Sequence, residues 1–166
     1  MNPPLPQRKR TRAQDFDYRE PGPYFVTICE YARVNRFGQI VDQHVLLNRP
    51  GEMVVDTWMM LPAKYPEITL DSFVLMPNHF HGLITFGSEH VESNVSLSEA
   101  MKWFKTMTTN WYIQGVKTSG WSRFDGHLWQ RSFHDRIVRS DVEMKQFRAY
   151  IANNAALWSR DTFFEL

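Results

Sequence analysis

The spacing of apolar residues changes several times along the chain, and each change marks a predicted element. The turn-forming PGP is followed by YFVTIC, a β-branched and aromatic run that predicts a strand at about residues 24 to 30. RFGQIVDQHVLL then predicts a glycine-containing hairpin or short irregular strands. Beyond it, apolar residues recur at helical spacing, so we predict a first helix that begins at Pro50 and ends or kinks at Pro62.

The second half of the pattern predicts three further strands or extended segments and two helices. ITLDSFVLMP and HFHGLITF are predicted as antiparallel strands joined by a turn at Pro77 and Asn78. Ser96 and Glu99 have capping-box spacing at the start of a second helix, SNVSLSEAMKWFKTMTTNWY. IQGVKTSGWSRFDGH is predicted to be a loop, and LWQRSFHDRIV a last strand or extended segment. The third helix, DVEMKQFRAYIANNAALW, follows the N-cap residue Ser140.

The order of these elements is strand, helix, two strands, helix, strand and helix. It predicts an α+β fold with a ferredoxin-like or RRM-like antiparallel sheet, helices on one face and an additional C-terminal helix. Residues 1–20 are predicted to form a basic N-terminal arm, and residues 21–166 a single domain.

Composition excludes several classes of protein. The chain has 166 residues, of which 43% are hydrophobic and 14% aromatic, which excludes a disordered chain. The single cysteine, Cys29, excludes a disulfide framework and a cysteine-based zinc site. No window approaches the roughly 20 apolar residues of a membrane span, and the N-terminal stretch lacks the apolar core of a secretion signal. We therefore expect a soluble, cytoplasmic protein with no membrane partner.

The distribution of charge is more informative than its sum, since the net charge is only +1. The basic residues that are candidates for phosphate contacts lie in the arm and late in the chain: Arg8, Lys9, Arg10, Arg12, Arg131 and Arg136. A basic arm beside a folded domain can contact phosphates, and a solvated tail has the same composition.

The two histidines of MPNHFH have a spacing that suits a metal site. Because side chains alternate across a strand, His79 and His81 are expected on one face, and Phe80 and Gly82 on the other. Two imidazoles at this spacing can converge on one cation. Hydrogen-bonded histidines at a strand end have the same pattern, so a third ligand is needed to decide.

The third predicted helix offers that ligand. Phe147, Tyr150 and Asn154 are three and four residues apart, so they project together from the helix. An asparagine oxygen can complete a metal site, and a tyrosine hydroxyl one turn away would lie near the group that the metal activates. Tyr112 is the competing tyrosine, but Val116, four residues later, cannot bind a metal. Tyr150 as a packed aromatic residue with a hydrogen-bonded hydroxyl is the alternative.

Taken together, these residues resemble the HUH endonucleases, and among them the single-tyrosine transposases of the REP-associated branch. HFH matches their His-hydrophobe-His motif, and a tyrosine followed by an amide four residues later matches their nucleophile helix. The resemblance extends over YFVTIC, FVLMPNHFHGLI and LWQRSFHDRIVRSDVEMKQFRAYIANNAALW, most of the chain from about Tyr24 to Trp158. Ala155 departs from the family, in which proline is usual, and this concerns how the helix ends.

The resemblance implies that residues 21–166 form a catalytic domain that cleaves and rejoins single-stranded DNA near hairpins, in transposition or repeat-element mobilisation. Tyr150 would form a 5′-phosphotyrosine intermediate, and a divalent metal, Mg²⁺ or Mn²⁺, held by His79, His81 and Asn154 would polarise the phosphate. The expected partner is single-stranded or hairpin DNA. The protein is expected in the cytoplasm, and at the nucleoid when it is bound to DNA. Related enzymes include monomers and dimers, so a homodimer is one expected form.

Two other functions stay open. The same topology could serve a non-catalytic, RRM-like module that binds single-stranded nucleic acid by base stacking, or a metal-dependent hydrolase that uses water as its nucleophile. His134 and Asp135 are candidates for a general base, with solvated surface residues as the simpler interpretation. Trp121 is a candidate base-stacking residue, whereas Trp129, in an apolar stretch, is expected in the core.

Overall fold

The computed structural model describes residues 21–87 and 94–160. The predicted arm, with Arg8, Lys9, Arg10 and Arg12, lies outside the described residues. The elements in chain order are β1 Gly22–Cys29, β2 Gly38–Val41, β3 His44–Leu47, α1 Arg49–Met59, α2 Leu61–Lys64, β4 Ile68–Met76, β5 His79–Phe86, α3 Leu97–Ser119, β6 His134–Ile137 and α4 Asp141–Asn153. A 3₁₀ turn at Trp158–Arg160 follows α4.

Four strands form one antiparallel sheet in the order β4, β5, β1 and β6. β5 lies between β1 and β4, and the chain crosses from β1 to β4 through α1 and α2. This is the split arrangement of a ferredoxin-like fold, so the predicted fold class is confirmed. β2 and β3 form a separate hairpin, whose turn residues Asp42 and Gln43 both have positive φ, as a type I′ turn requires.

The two faces of the sheet are covered by different helices. On one face, the rings of Trp58 from α1 and Phe104 from α3 lie 4.5 and 5.7 Å from the ring of Phe80 in β5. On the other face, Leu83 of β5 packs with Val138 and with Ile151 of α4. The additional C-terminal helix is therefore separated from the other helices by the sheet. His79 and His81, which alternate with Phe80, face α4.

The second predicted helix is longer than the sequence indicated. Ser96 and Glu99 form the predicted capping box, but α3 continues to Ser119, through a stretch that was predicted as a loop. Gly115 lies inside this helix, and its missing side chain leaves room for Trp121. A Cβ at position 115 would lie 2.2–2.5 Å from atoms of the Trp121 ring. The helix ends at Gly120, which adopts the left-handed conformation with φ of 69°. None of the helices in the two described ranges is long and apolar enough to cross a bilayer.

The last predicted strand is shorter than the apolar stretch that predicted it. Only His134–Ile137 pairs continuously with β1, and Trp129 makes a single bridge with Glu30. Trp129 is buried and donates from Nε1 to the hydroxyl of Thr108 at 2.8 Å, which confirms its place in the core. Trp121 is half-buried and covers Gly115, so this face of its ring is not available for base stacking.

Gly82 of β5 provides a test of how closely this core is packed. A Cβ at Gly82 would lie 2.8 Å from ring atoms of both Phe80 and Trp58. Gly82→Ala should therefore displace these rings and lower the free energy of unfolding by about 1–3 kcal/mol, measured by urea denaturation. A change smaller than about 0.5 kcal/mol, the usual range of surface substitutions, would contradict the packing described here.

Candidate active site

β5 brings His79 and His81 to the face of the sheet that α4 covers. Their side chains are almost fully buried, with residue exposures of 0% and 1%, and their ring centroids lie 4.6 Å apart. Nδ1 of His81 lies 2.7 Å from the hydroxyl of Thr27, and Nδ1 of His79 lies 2.7 Å from Oδ1 of Asn78. In each ring the second nitrogen, Nε2, is then the atom that could bind a cation.

α4 brings Tyr150 to the same place. The Tyr150 hydroxyl lies 3.4 Å from Nε2 of His81, and the two ring centroids are 5.2 Å apart. Tyr150 is nevertheless 41% exposed, so a substrate can reach its ring. The predicted projection of the tyrosine toward the histidine pair is therefore present in the structure.

Asn154 lies just beyond the end of α4, in helical conformation, and is 2% exposed. Its Oδ1 is buried and has no hydrogen-bond partner among the described residues. Trp158, four residues later, stacks on His79 with ring centroids 6.0 Å apart, which holds this end of the helix near the histidines. The sequence gives the spacing of Asn154 but not the contact of Trp158 with His79.

Two imidazole nitrogens and an amide oxygen are atom types that bind divalent cations in proteins. A buried oxygen without a hydrogen-bond partner costs free energy, and a cation is one way to satisfy it. Two imidazoles favour Mn²⁺, Co²⁺ or Zn²⁺, whereas the amide oxygen also suits Mg²⁺. In the described ranges there is no cluster of three or more His, Cys, Asp or Glu residues that could hold a metal ion. A site made of two histidines and an asparagine would not appear as such a cluster, because its third ligand is an amide oxygen.

An aromatic stack supports the site from the β1 side, and sequence analysis missed it. Phe25 of β1 stacks on His81 at 5.4 Å and on Phe147 of α4 at 4.4 Å, with interplanar angles of 20° and 13°. The alternation within YFVTIC is the pattern that could have identified Phe25 and Thr27, since both lie on one face of their strand. Their pairing with β5 brings that face to the histidines.

A cavity of about 350 Å³ opens beside Tyr150, and its walls carry aromatic, charged and polar groups. It is lined by Phe25, Thr27, His81, Arg136, Glu143, Gln146, Phe147 and Tyr150. The Arg136 guanidinium lies 5.6 Å from the Phe147 ring centroid and 3.6 Å from Glu143, and its side chain is 66% exposed. Of the predicted basic residues, Arg136 therefore lies at the site.

The other candidate residues of the described ranges do not line the cavity beside Tyr150. Arg131 is exposed and lines a separate cavity with Lys102 and Lys105 of α3. His134 is exposed and pairs in register with Thr27, and Asp135, half-buried, follows on the alternate side of the strand. Tyr112 is buried, and its hydroxyl donates to the carbonyl of Ser122 at 2.8 Å, which gives it a structural role.

An ion pair ties α4 to the sheet of its own chain. Arg148 of α4 binds Asp71 of β4 through two contacts of 2.6 and 3.0 Å. The hydrogen bond from Arg148 lowers the pKa of Asp71 from its ordinary 3.8 to about 2. The ion pair therefore helps to hold the helix that carries Tyr150 against β4.

The sequence of this chain matches a known protein family and an individual protein. Residues 43–154 match a family model described as transposase, IS200 like. The chain belongs to the IS200-like transposase family. An uncharacterized protein of Haemophilus influenzae is 30% identical to it over 174 residues, which cover 98% of this chain and 96% of that protein. The resemblance inferred from the sequence motifs is thus confirmed at the level of the family.

Two solved structures share the fold of this IS200-like transposase. A REP-associated tyrosine transposase bound to a REP hairpin has a TM-score of 0.59 and 17% identity, with 87% of this chain and 73% of that chain covered. A candidate transposase from Deinococcus radiodurans has a TM-score of 0.50 and 17% identity, with 86% and 95% covered. At this level of identity the likeness shows the fold alone.

The contact between Arg148 and Asp71 leads to a pH-dependent prediction. The folded pKa of Asp71 is below its ordinary value, so the ionised carboxylate stabilises the folded protein above about pH 4, and this contribution is lost as the pH falls toward 2. Asp71→Asn should therefore lower the free energy of unfolding at neutral pH by about 0.2–1 kcal/mol, and this difference should shrink as the pH falls through about 2. Chemical denaturation at several pH values measures this.

The matched control is Glu52→Gln. It removes the Arg49–Glu52 pair in the first turn of α1, whose side chains are 85% and 52% exposed, so a change no larger than about 0.5 kcal/mol is expected. An equal loss for Asp71→Asn at every pH would contradict the role of the Asp71 charge.

Proposed function

We propose that this chain cleaves and rejoins single-stranded DNA near hairpins, with Tyr150 as the nucleophile and a divalent cation held by His79, His81 and Asn154. The observation that carries the proposal is the 3.4 Å approach of the Tyr150 hydroxyl to Nε2 of His81, within a chain of the IS200-like transposase family. A structural neighbour is bound to a REP hairpin, which supports hairpin DNA as the partner of this chain.

The proposed step exchanges one phosphoester for another. The Tyr150 oxygen attacks the phosphorus, a bond from that oxygen to phosphorus forms, and the bond from phosphorus to the 3′ oxygen breaks. The products are a 5′-phosphotyrosine and a 3′-hydroxyl that has gained a proton. Because the ester energy is retained, attack by a 3′-hydroxyl on the phosphotyrosine rejoins DNA without a nucleotide cofactor.

The cation, when bound, would act as a Lewis acid on the scissile phosphate. Tyr150 has an ordinary pKa near 10, so its proton must leave as the attack proceeds. An imidazole nitrogen that binds a cation has no lone pair left for that proton. His81 therefore cannot be the general base through Nε2 in the loaded site, and His134 and Asp135 stay as predicted candidates.

The cavity beside Tyr150 supports a nucleic-acid substrate. Arg136 borders it with a largely exposed guanidinium, which is suited to a phosphate, and Phe147 contributes an aromatic face. We also predict that DNA contacts further basic residues, namely Arg131 and, in the arm, Arg8, Lys9, Arg10 and Arg12. The division of the chain into an arm of residues 1–20 and a catalytic domain of residues 21–166 is a separate prediction.

The proposal needs no residue from a second copy of the chain. In the single chain, β5 carries His79 and His81 and α4 carries Tyr150, with Asn154 at its end, and we propose that these residues act together in cis. A homodimer stays a prediction.

A pure binding module of the RRM type is disfavoured by the sheet. Such modules stack bases on aromatic residues of an open sheet face. Here α4 covers that face, and Phe25 is already stacked on Phe147. The alternative of a hydrolase with a water nucleophile is left to experiment.

The decisive variant is Tyr150→Phe. We expect it to abolish the covalent adduct with a labelled single-stranded oligonucleotide, and its cleavage, because the attacking oxygen is gone, while binding to hairpin DNA is retained. Denaturing gels measure the adduct, and fluorescence anisotropy measures binding. Tyr31→Phe is the control, since Tyr31 is 50% exposed and outside the site, and it should form the adduct normally. Cleavage by Tyr150→Phe would favour the hydrolase, and a wild-type protein without an adduct would favour the binding module.

The metal set is tested separately with Asn154→Ala. Removal of a proposed ligand should weaken Mn²⁺ binding at least about tenfold in calorimetric titrations. Without metal, Asn154→Ala breaks no hydrogen bond of Oδ1, because that atom has no hydrogen-bond partner in the described part of the chain. We therefore expect no loss of stability from that source.

Asn153→Ala is the matched control for Asn154→Ala. Asn153 is exposed, and its side chain donates to the Ala149 carbonyl rather than entering the site. We expect Mn²⁺ affinity to be unchanged in this variant. Equal Mn²⁺ affinities of the wild type and Asn154→Ala would remove Asn154 from the ligand set.

A further inference from the structure

The turn before β5 contains Asn78, a buried residue whose side-chain nitrogen and oxygen contact different partners. Asn78 is 1% exposed. Its Nδ2 donates to the carbonyl oxygen of Arg33 at 3.2 Å, and its Oδ1 lies 2.7 Å from Nδ1 of His79. A carbonyl can only accept a hydrogen bond, so the Arg33 contact determines which way the amide is turned.

The orientation of the amide in turn determines the proton on His79. An amide oxygen is an acceptor only, so Nδ1 of His79 must carry the hydrogen of this bond. In a neutral imidazole the other nitrogen, Nε2, then holds the lone pair. We propose that Asn78 is a positioning residue that keeps His79 in the Nδ1–H tautomer, with the Nε2 lone pair available to the cation; this rests on the proposed function.

The two histidines differ in this respect. Nδ1 of His81 faces the hydroxyl of Thr27, which can either donate or accept, so that contact does not select a tautomer. Of these two contacts, the one at His79 therefore selects a tautomer, because its partner, the Asn78 oxygen, can only accept a hydrogen bond.

The backbone of the Asn78 turn is held by the segment that follows β1. The N–H of Glu30 donates to the Asn78 carbonyl at 2.9 Å. The N–H groups of Arg36 and Phe37 donate to the Pro77 carbonyl at 2.9 and 3.0 Å. The turn is thus bound through both of its carbonyls, which limits the movement of Asn78 relative to Arg33.

A buried ion pair shapes this segment. The Glu30 carboxylate is fully buried, accepts from Nε of Arg36 at 2.9 Å and accepts from the N–H of Val34 at 3.0 Å. Arg33 itself has a φ of 58°, an uncommon conformation for a residue with a side chain. The bonds of Glu30 span this residue, so they help to keep its carbonyl directed at Asn78.

The tautomer can be measured directly on the metal-free protein. Two-bond ¹H–¹⁵N correlation spectra of histidine-labelled protein at pH 8 distinguish Nδ1–H from Nε2–H rings, and His79→Gln assigns the signals among the six histidines. We expect Nδ1–H for His79 in the wild type. Asn78→Leu, which has similar volume but no acceptor, should convert His79 partly or wholly to Nε2–H.

Two further variants make the test specific. Asn78→Asp retains an acceptor and should keep Nδ1 of His79 protonated, which also provides a result if Asn78→Leu does not fold. Thr27→Val removes the hydroxyl that contacts Nδ1 of His81 and should leave the His79 tautomer unchanged. An Nε2–H ring of His79 in the wild type, or an unchanged Nδ1–H ring in folded Asn78→Leu, would overturn the inference.

Metal binding separates this inference from the proposed function. If the tautomers are as expected, Asn78→Leu should bind Mn²⁺ about 10–100-fold more weakly than the wild type in calorimetric titrations. Equal affinities would overturn the effect of Asn78 on the cation. A wild type that binds no Mn²⁺ but shows the expected tautomers would instead contradict the metal set of the proposed function.

Discussion

The alternation of side chains along β5 is the constraint on which both the core and the candidate site depend. Phe80 is packed against Trp58 and Phe104 on one face, while His79 and His81 are buried on the other. A shift of one residue would exchange these faces, putting imidazoles into the aromatic core. The energetic cost of that exchange holds the register, and the register in turn places Thr27 opposite His81. The packing of the core therefore determines the hydrogen-bond environment of the site.

α4 covers the histidine face with much less burial than α1 and α3 provide on the other face. Ile151 is its one buried residue, in a small cluster with Leu83 and Val138. The Phe25–Phe147 stack and the Arg148–Asp71 pair complete the attachment at the middle of the helix. This modest burial leaves Tyr150 accessible while its hydroxyl stays beside His81. A helix buried as deeply as α3 would aim the tyrosine equally well but exclude a DNA strand from it.

Local periodicity explains which parts of this arrangement the sequence could predict. The shared face of His79 and His81 and the common projection of Tyr150 and Asn154 follow from periods of two and about 3.6 residues, and both were predicted. The Thr27–His81 contact joins positions 54 residues apart and requires the strand order, so no local pattern shows it. The extension of α3 past Gly115 was missed because a glycine at position 115 favours a loop, and the packing of Trp121 against that glycine is not visible in a local pattern.

The treatment of buried polar groups supports a functional interpretation of Asn154. The buried Glu30 carboxylate is satisfied by Arg36 and by a backbone N–H, as expected for a group with a high cost of desolvation. Oδ1 of Asn154 and Nε1 of Trp58 are among the buried side-chain atoms of the described chain that have no hydrogen-bond partner. The two atoms differ in kind, because the indole nitrogen is a donor and cannot bind a cation, whereas the amide oxygen can. An unsatisfied acceptor at the end of the tyrosine helix is consistent with the proposed role of Asn154, because coordination of a cation would replace the missing hydrogen bond.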